Sequence, residues 1–204
     1  MTGSAELAAG PFGSWLAQLQ VALRGEGDSD VPCGSCVACC SSSQFVHIGP
    51  EETDALAHIP AELVFPAPRM PRGHVLMGYD EHGRCPLLID GSCSIYAHRP
   101  RTCRVYDCRV FAAAGIAPDD DKPLIAAQTV RWRFDHPTAD DQVLHQAVRA
   151  AAEFVQRHRA ELPDGSVPLV ATARAVHAVT LHELFTHGEP TVDVVAVELR
   201  RRQG

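Results

Sequence analysis

Between positions 33 and 40 the chain reads C-G-S-C-V-A-C-C, which puts Cys33, Cys36, Cys39 and Cys40 into eight residues. Cys85, Cys93, Cys103 and Cys108 follow, and no cysteine comes after them. The spacing is C-x2-C-x2-C-C, a gap of 44 residues, then C-x7-C-x9-C-x4-C. A lone C-x2-C says little, but a run of this kind answered by four distant thiols restricts the fold, because the two halves must converge. Thiolates are soft ligands that favour zinc, iron–sulfur clusters or copper(I). A metal needs about four donors arriving from different directions.

Compartment separates metal from disulfide. The N-terminus, M-T-G-S-A-E-L-A-A-G, has neither a basic nor an apolar leader region, so a cytoplasmic chain with reduced thiols is expected. No apolar run approaches the ~20 residues that span a bilayer, so no membrane partner is expected. A formal net charge of −7 argues against a general nucleic-acid binder. The segment from Arg69 to Arg109 runs the other way, with seven arginines against four carboxylates, a net +3. Arg84 adjoins Cys85, and Arg99, Arg101 and Arg104 flank Cys103. Buried beside thiolates, they would offset the charge of about −2 that a four-thiolate site carries. Taken singly, each is more simply an exposed arginine on a turn.

Spacing sets limits on the geometry. If residues 33–40 were helical, at about 100° per residue, Cys33, Cys36 and Cys40 would share a face and Cys39 would lie off it. As a loop, Cys33, Cys36 and Cys39 form a ferredoxin-like tripod and Cys40 points elsewhere. Either way one of Cys39 and Cys40 is expected to reach a second site or to bridge. On a straight helix Cys103 and Cys108 lie roughly 140° apart, so they share a centre only if the helix ends between them. Cys108 is the weakest candidate ligand. Structural zinc prefers two C-x2-C knuckles, and one half here lacks that form. The tripod favours iron–sulfur, with 4Fe–4S ahead of zinc, although Cys85-Pro86 lacks the upstream cysteines of a ferredoxin run.

Along the chain, residues 12–24 show helical spacing of Trp15, Leu16, Leu19, Ala22 and Leu23, and G-E-G-D-S-D forms a linker. Residues 45–48 are a strand candidate, followed by a helix from Pro50 to about His58 and a proline-rich surface loop at 60–73. Residues 74–90 read as a β-hairpin turning at Gly83, with a second turn at 90–92. A helix is expected from about Pro100 to Ala113. The stretch 123–134 favours helix over strand. Thr138 with Asp141 predicts a capped helix whose stripe runs through Val143, Leu144, Ala147, Val148, Ala151, Phe154 and Val155. Another helix is expected over roughly 168–186. The predicted architecture is mainly α, an α+β chain with a small β-hairpin. It divides into an N-terminal helix and linker (1–30), a cysteine-cluster metal-binding region (31–115) and a Cys-free helical region packing on it (116–204).

The motifs C-G-S-C-V-A-C-C, G-R-C-P-L-L and G-S-C-S-I-Y-A-H-R-P-R-T-C-R-V-Y resemble the CxxCxxCC cysteine-cluster family, the YkgJ-like proteins, described as zinc or iron chelators. The likeness covers about residues 31–108. It implies Cys33, Cys36, Cys39, Cys40, Cys85, Cys93 and Cys103 as ligands, and Tyr96, Arg99, Pro100 and Arg104 as its other signature positions. Cys108 lies beyond it. Flagellin lysine methylases are similar in carrying such a cluster, but the rest of that enzyme has no counterpart here.

H-E-L-F-T-H at 182–187 misses the zinc-protease spacing by one residue, and His182 and His187 are expected on the polar side of a helix. His47, His74, His82 and His98 lie near the cysteines, with solvent-facing loop positions the simpler reading. Trp132 between two arginines reads as a docking residue. No phosphate loop, nucleophile elbow or dinucleotide fingerprint is present. Three functions remain: an iron–sulfur protein in redox or electron transfer, with Tyr96, Arg99 and Arg104 beside the cofactor; a zinc-chelating binding protein without catalysis; and a metal-free thiol switch.

Overall fold

The computed structural model describes residues 5–29 and 31–203, so Met1–Ser4 of the N-terminal stretch, Asp30 of the expected linker and Gly204 lie outside the described residues. In chain order the elements are β1 (Leu7–Pro11), α1 (Phe12–Arg24), β2 (Val46–Ile48), α2 (Thr53–His58), β3 (Val64–Pro66), β4 (Val75–Met77), β5 (Leu88–Ile89) and β6 (Ser92–Cys93). Then come α3 (Arg101–Val105), α4 (Arg109–Ala114), α5 (Pro123–Thr129), β7 (Trp132–Asp135), α6 (Ala139–Arg157), α7 (Ala171–Leu181) and α8 (Val192–Gln203). Short 3₁₀ turns lie at Cys39–Ser41, Ala61–Leu63, Tyr96–His98 and His182–Phe185. The fold is mixed and mainly helical, as the sequence predicts. No helix among the described residues is long and apolar enough to cross a membrane.

The chain divides into two units. One comprises Met1–Gln20, Cys108–Asp120 and Ala126–Gly204; the other comprises Val21–Asp107 and Asp121–Ile125. In the first, α4, α6, α7 and the turn at His182–Phe185 bury Phe111, Val148, Phe154, Val179 and Phe185. Thr138 and Asp141 close a reciprocal capping box at the start of α6, and the Asp141 carboxylate also accepts the Gly13 N–H at 2.7 Å. β1 pairs in parallel with β7. The sequence carries no signal for β1, and β7 begins in the last three residues of a stretch expected to be helix, of which α5 takes the first seven. Trp132 and Phe134 suit a strand, but only a partner more than 120 residues away supplies the hydrogen bonds.

In the second unit the strand order is β2-β4-β3, all antiparallel. The expected hairpin over 74–90 does not form. Its turn exists, with the Gly83 N–H donating to the Asp80 carbonyl at 2.9 Å, but β4 pairs with β2 and β3, and β3 falls in the segment expected to be loop. The real hairpin is β5–β6, turned by Asp90 and Gly91 at φ +49° and +76°, the left-handed pair that a two-residue turn requires. The expected 100–113 helix breaks between α3 and α4, where Tyr106 is extended. His182 is buried, with its Nδ1 donating to the Val179 carbonyl at 2.7 Å, rather than on a polar face. Leu169 and Val170, inside the stretch expected to be helix, precede α7 and are exposed.

Candidate metal centre

The cysteine-rich segment is a loop. The Cys36 N–H donates to the Cys33 carbonyl at 2.8 Å around Gly34, whose φ is +54°, a conformation that glycine adopts without steric cost. The 3₁₀ turn at Cys39–Ser41 follows, and the Ser42 hydroxyl donates to the Ala38 carbonyl at 2.6 Å. The 44-residue gap is bridged by backbone: the Cys85 N–H donates to the Cys40 carbonyl at 2.7 Å, and the Ser43 N–H to the Gly83 carbonyl at 2.8 Å. The β5–β6 hairpin then sets Cys93 opposite Leu88. Cys103 lies on the first turn of α3, which Thr102 fastens to β2 by donating its hydroxyl to the His47 carbonyl at 2.7 Å.

These connections gather Cys39, Cys40, Cys85, Cys93 and Cys103 around one cavity of about 120 Å³. Val46, Met77, Leu87 and Ile95 give it apolar walls. That volume far exceeds the roughly 10–15 Å³ that seats a single water on the same measure. Cys33 is exposed and Cys36 half-buried on the turn leading in, and neither lines the cavity. Cys108 belongs to the other unit, where its sulfur accepts the Trp132 indole N–H at 3.2 Å.

Cys39 and Cys40 both line the cavity, with their sulfurs 4.0 Å apart, because a 3₁₀ turn sets neighbouring side chains about 120° apart and the cavity is wide enough to meet both. Among the described residues no three sulfurs gather within 4.8 Å of one another; the one trio of potential donors at that spacing is Asp54, His58 and His98.

Electrostatics orders the thiols. The Cys40 S–H bonding to Cys39 holds the Cys39 thiol down to about 7, and the same bond pushes Cys40 well up. Burial first, then neighbouring thiolates, raise Cys103 to about 12 and Cys33 to about 11. Burial also raises Cys85. Metal-free, Cys33, Cys40, Cys85 and Cys103 resist ionisation; a bound cation reverses that, since metal ligation removes the proton.

Of the arginines singled out in sequence, Arg99 lines the cavity, and its charge favours ionised Cys33, Cys39 and Cys103. Its guanidinium lies 3.7 Å over the Tyr96 ring, and its Nε–H donates to the Tyr96 carbonyl at 2.9 Å. Arg104 instead donates to Asp28 at 3.0 and 3.1 Å. Arg101 donates to the Ala22 carbonyl at 2.8 Å, and Arg84 faces Asp80 at 3.5 Å. The sequence reading missed the apolar walls, whose residues are scattered from β2 to the turn before α3. It also missed the Asp54–His58 pair, for which one turn of helical spacing was the available signal.

Residues 32–129 match the family model CxxCxxCC, described as "Putative zinc- or iron-chelating domain". No curated protein and no solved structure matches the chain.

Proposed function

We propose, from the premise that residues 32–129 match the CxxCxxCC zinc- or iron-chelating domain, that the chain holds an iron–sulfur cluster and works in electron transfer or redox chemistry. The observation that carries this is the shape of the thiol set: five cysteines around a roomy apolar cavity, with no three sulfurs among the described residues converging as on a single ion. A multi-iron cluster takes its thiolates at separate irons and so spreads them.

In this reading Cys39, Cys40, Cys85, Cys93 and Cys103 supply the ligands, with Cys33 and Cys36 close by on the approach loop. Cys108, engaged by Trp132, is left out. Cys39, whose thiol its neighbour holds down, is poised to ligate as a thiolate. Arg99 offsets the anionic charge and is held in place by Tyr96, while Arg104 serves Asp28 instead. Val46, Met77, Leu87 and Ile95 exclude water, and a dry, partly neutralised environment is what sets a cluster's potential. The cluster, when bound, supplies one-electron exchange. A reducing compartment such as the cytoplasm suits these thiols.

Anaerobic purification with iron, zinc and acid-labile sulfide analysis tests the proposal. Iron and sulfide in matched amounts, with visible absorbance, are expected. A colourless protein with stoichiometric zinc and no sulfide overturns it. That outcome would favour a second reading, zinc chelation, to which one observation speaks. The 4.0 Å between the Cys39 and Cys40 sulfurs is close to the about 3.8 Å edge of a tetrahedron with 2.3 Å zinc–sulfur bonds.

A further inference from the structure

We propose that His58 and His98, oriented by Asp54, form a second metal site, for a divalent transition ion such as Zn²⁺, that uses no cysteine. Asp54 and His58 are four residues apart on α2 and so share one face of the helix. His98 closes the 3₁₀ turn Tyr96–His98. Donor atoms of the three side chains lie within 4.8 Å of one another.

The hydrogen bonds fix the tautomers. His58 Nδ1 lies 2.8 Å from the Asp54 backbone carbonyl, and His98 Nδ1 lies 2.9 Å from the Asp54 carboxylate. Both partners only accept, so each neutral ring carries its proton on Nδ1 and keeps its lone pair on Nε2. Neither Nε2 has a hydrogen-bond partner among the described residues. An imidazole that donates its other N–H to a carboxylate or a backbone carbonyl is the arrangement found behind metal-ligating histidines. Here one aspartate provides both acceptors.

The two rings lie against each other. They stack face to face with centroids 3.6 Å apart and planes 5° from parallel, and their side chains are 41 % and 40 % exposed. As imidazolium ions, two stacked rings would repel. As neutral ligands, they can open toward one cation by rotation about the Cβ–Cγ bond, a broad and soft torsion. An exposed Asp–His pair contributes little on its own, so it does not by itself account for recruiting a second imidazole. Two imidazoles select zinc, nickel or copper over calcium or magnesium, which prefer all-oxygen shells. Water fills the remaining positions, so the site is an open one.

The test is calorimetric titration of Zn²⁺ into the full chain, purified with its thiol centre as isolated, for the wild type, the double variant His58→Gln/His98→Gln and Asp54→Asn. The wild type is expected to bind one equivalent more than the double variant. Asp54→Asn is expected to keep that equivalent with affinity about 10–100-fold weaker, the usual effect of removing a group behind a ligand. Metal content and absorbance of the thiol centre should match in all three, and circular dichroism checks folding. Long-range ¹H–¹⁵N spectra should show the His58 and His98 Nε2 resonances shifting with zinc. Equal stoichiometry and affinity in wild type and double variant, or zinc that leaves both Nε2 resonances in place, overturns the proposal. A chain isolated without thiol-bound metal that still shows the histidine-dependent equivalent would sink the cluster reading and uphold this one.

Discussion

The unit built on α4, α6 and α7 buries Phe111, Val148, Phe154, Val179 and Leu181 against one another. The unit carrying seven of the eight cysteines buries Val46, Ile48, Ile59, Met77, Leu87 and Ile95, with Cys85, Cys93 and Cys103 packed against them. Its strands are two or three residues long, and short strands with few apolar neighbours do little to offset about 1–2 kcal/mol of backbone ordering per residue. The first unit is built around an apolar interior. The second has an interior with a sulfur-lined side. The proposed function implies that apolar burial orders one part of the chain and ligation the other.

Stripping metal with a chelator under reducing conditions should break this comparison most visibly. Structural metal sites contribute on the order of 10 kcal/mol to folding. Hydrogen exchange should therefore show lost protection in β2, β3 and β4, with α6 and α7 still protected. Uniform protection in both units would erase the distinction.

The converse experiment is Phe154→Ala. Phe154 is 1 % exposed and meets Phe185 edge to face at 5.4 Å, so about 3–5 kcal/mol of stability should be lost. Urea unfolding measures it, and the metal content of the folded protein should not change. A smaller effect is expected at the Thr138 cap, where Thr138→Ala should cost about 1 kcal/mol in the same assay, again without altering metal content.

The smallest effect is a pH dependence within the helical unit. Burial, then the charges of His136 and Arg149, hold His145 down to about 4 from an ordinary 6.5. A depressed histidine favours the folded state above 6.5, and this contribution is lost as pH falls toward 4. His145→Gln should flatten the stability profile between those values. Urea midpoints at pH 7, 5 and 4 would show it, and an unchanged slope would rule His145 out as the source.

Local signals were legible where a few neighbouring residues decide the outcome. The Thr138–Asp141 capping box, the stripe through Ala147, Val148, Ala151 and Phe154, and the Asp90–Gly91 turn all rest on interactions within a turn or two. The fate of the Cys39–Cys40 pair was not legible, because it depends on how wide a space residues from β2, β4 and the hairpin leave beside the turn. Neither was the break after Val105, which separates Cys103 from Cys108. Arg99 and Arg104 look equivalent in sequence, yet one stacks on Tyr96 at the cavity and the other pairs with Asp28.

By itself the sequence determined that thiols from two distant segments must meet, that the chain would be mainly helical, and that its cysteine motifs are those of a metal-chelating family. Spacing, capping and periodicity are properties of neighbouring residues, and they survive without a fold. Tertiary structure decided which five cysteines share a cavity, which arginine faces them, which strands pair, and that Asp54, His58 and His98 converge. Each of these depends on backbone hydrogen bonds and packing between residues tens of positions apart, and one-dimensional spacing carries no information about them.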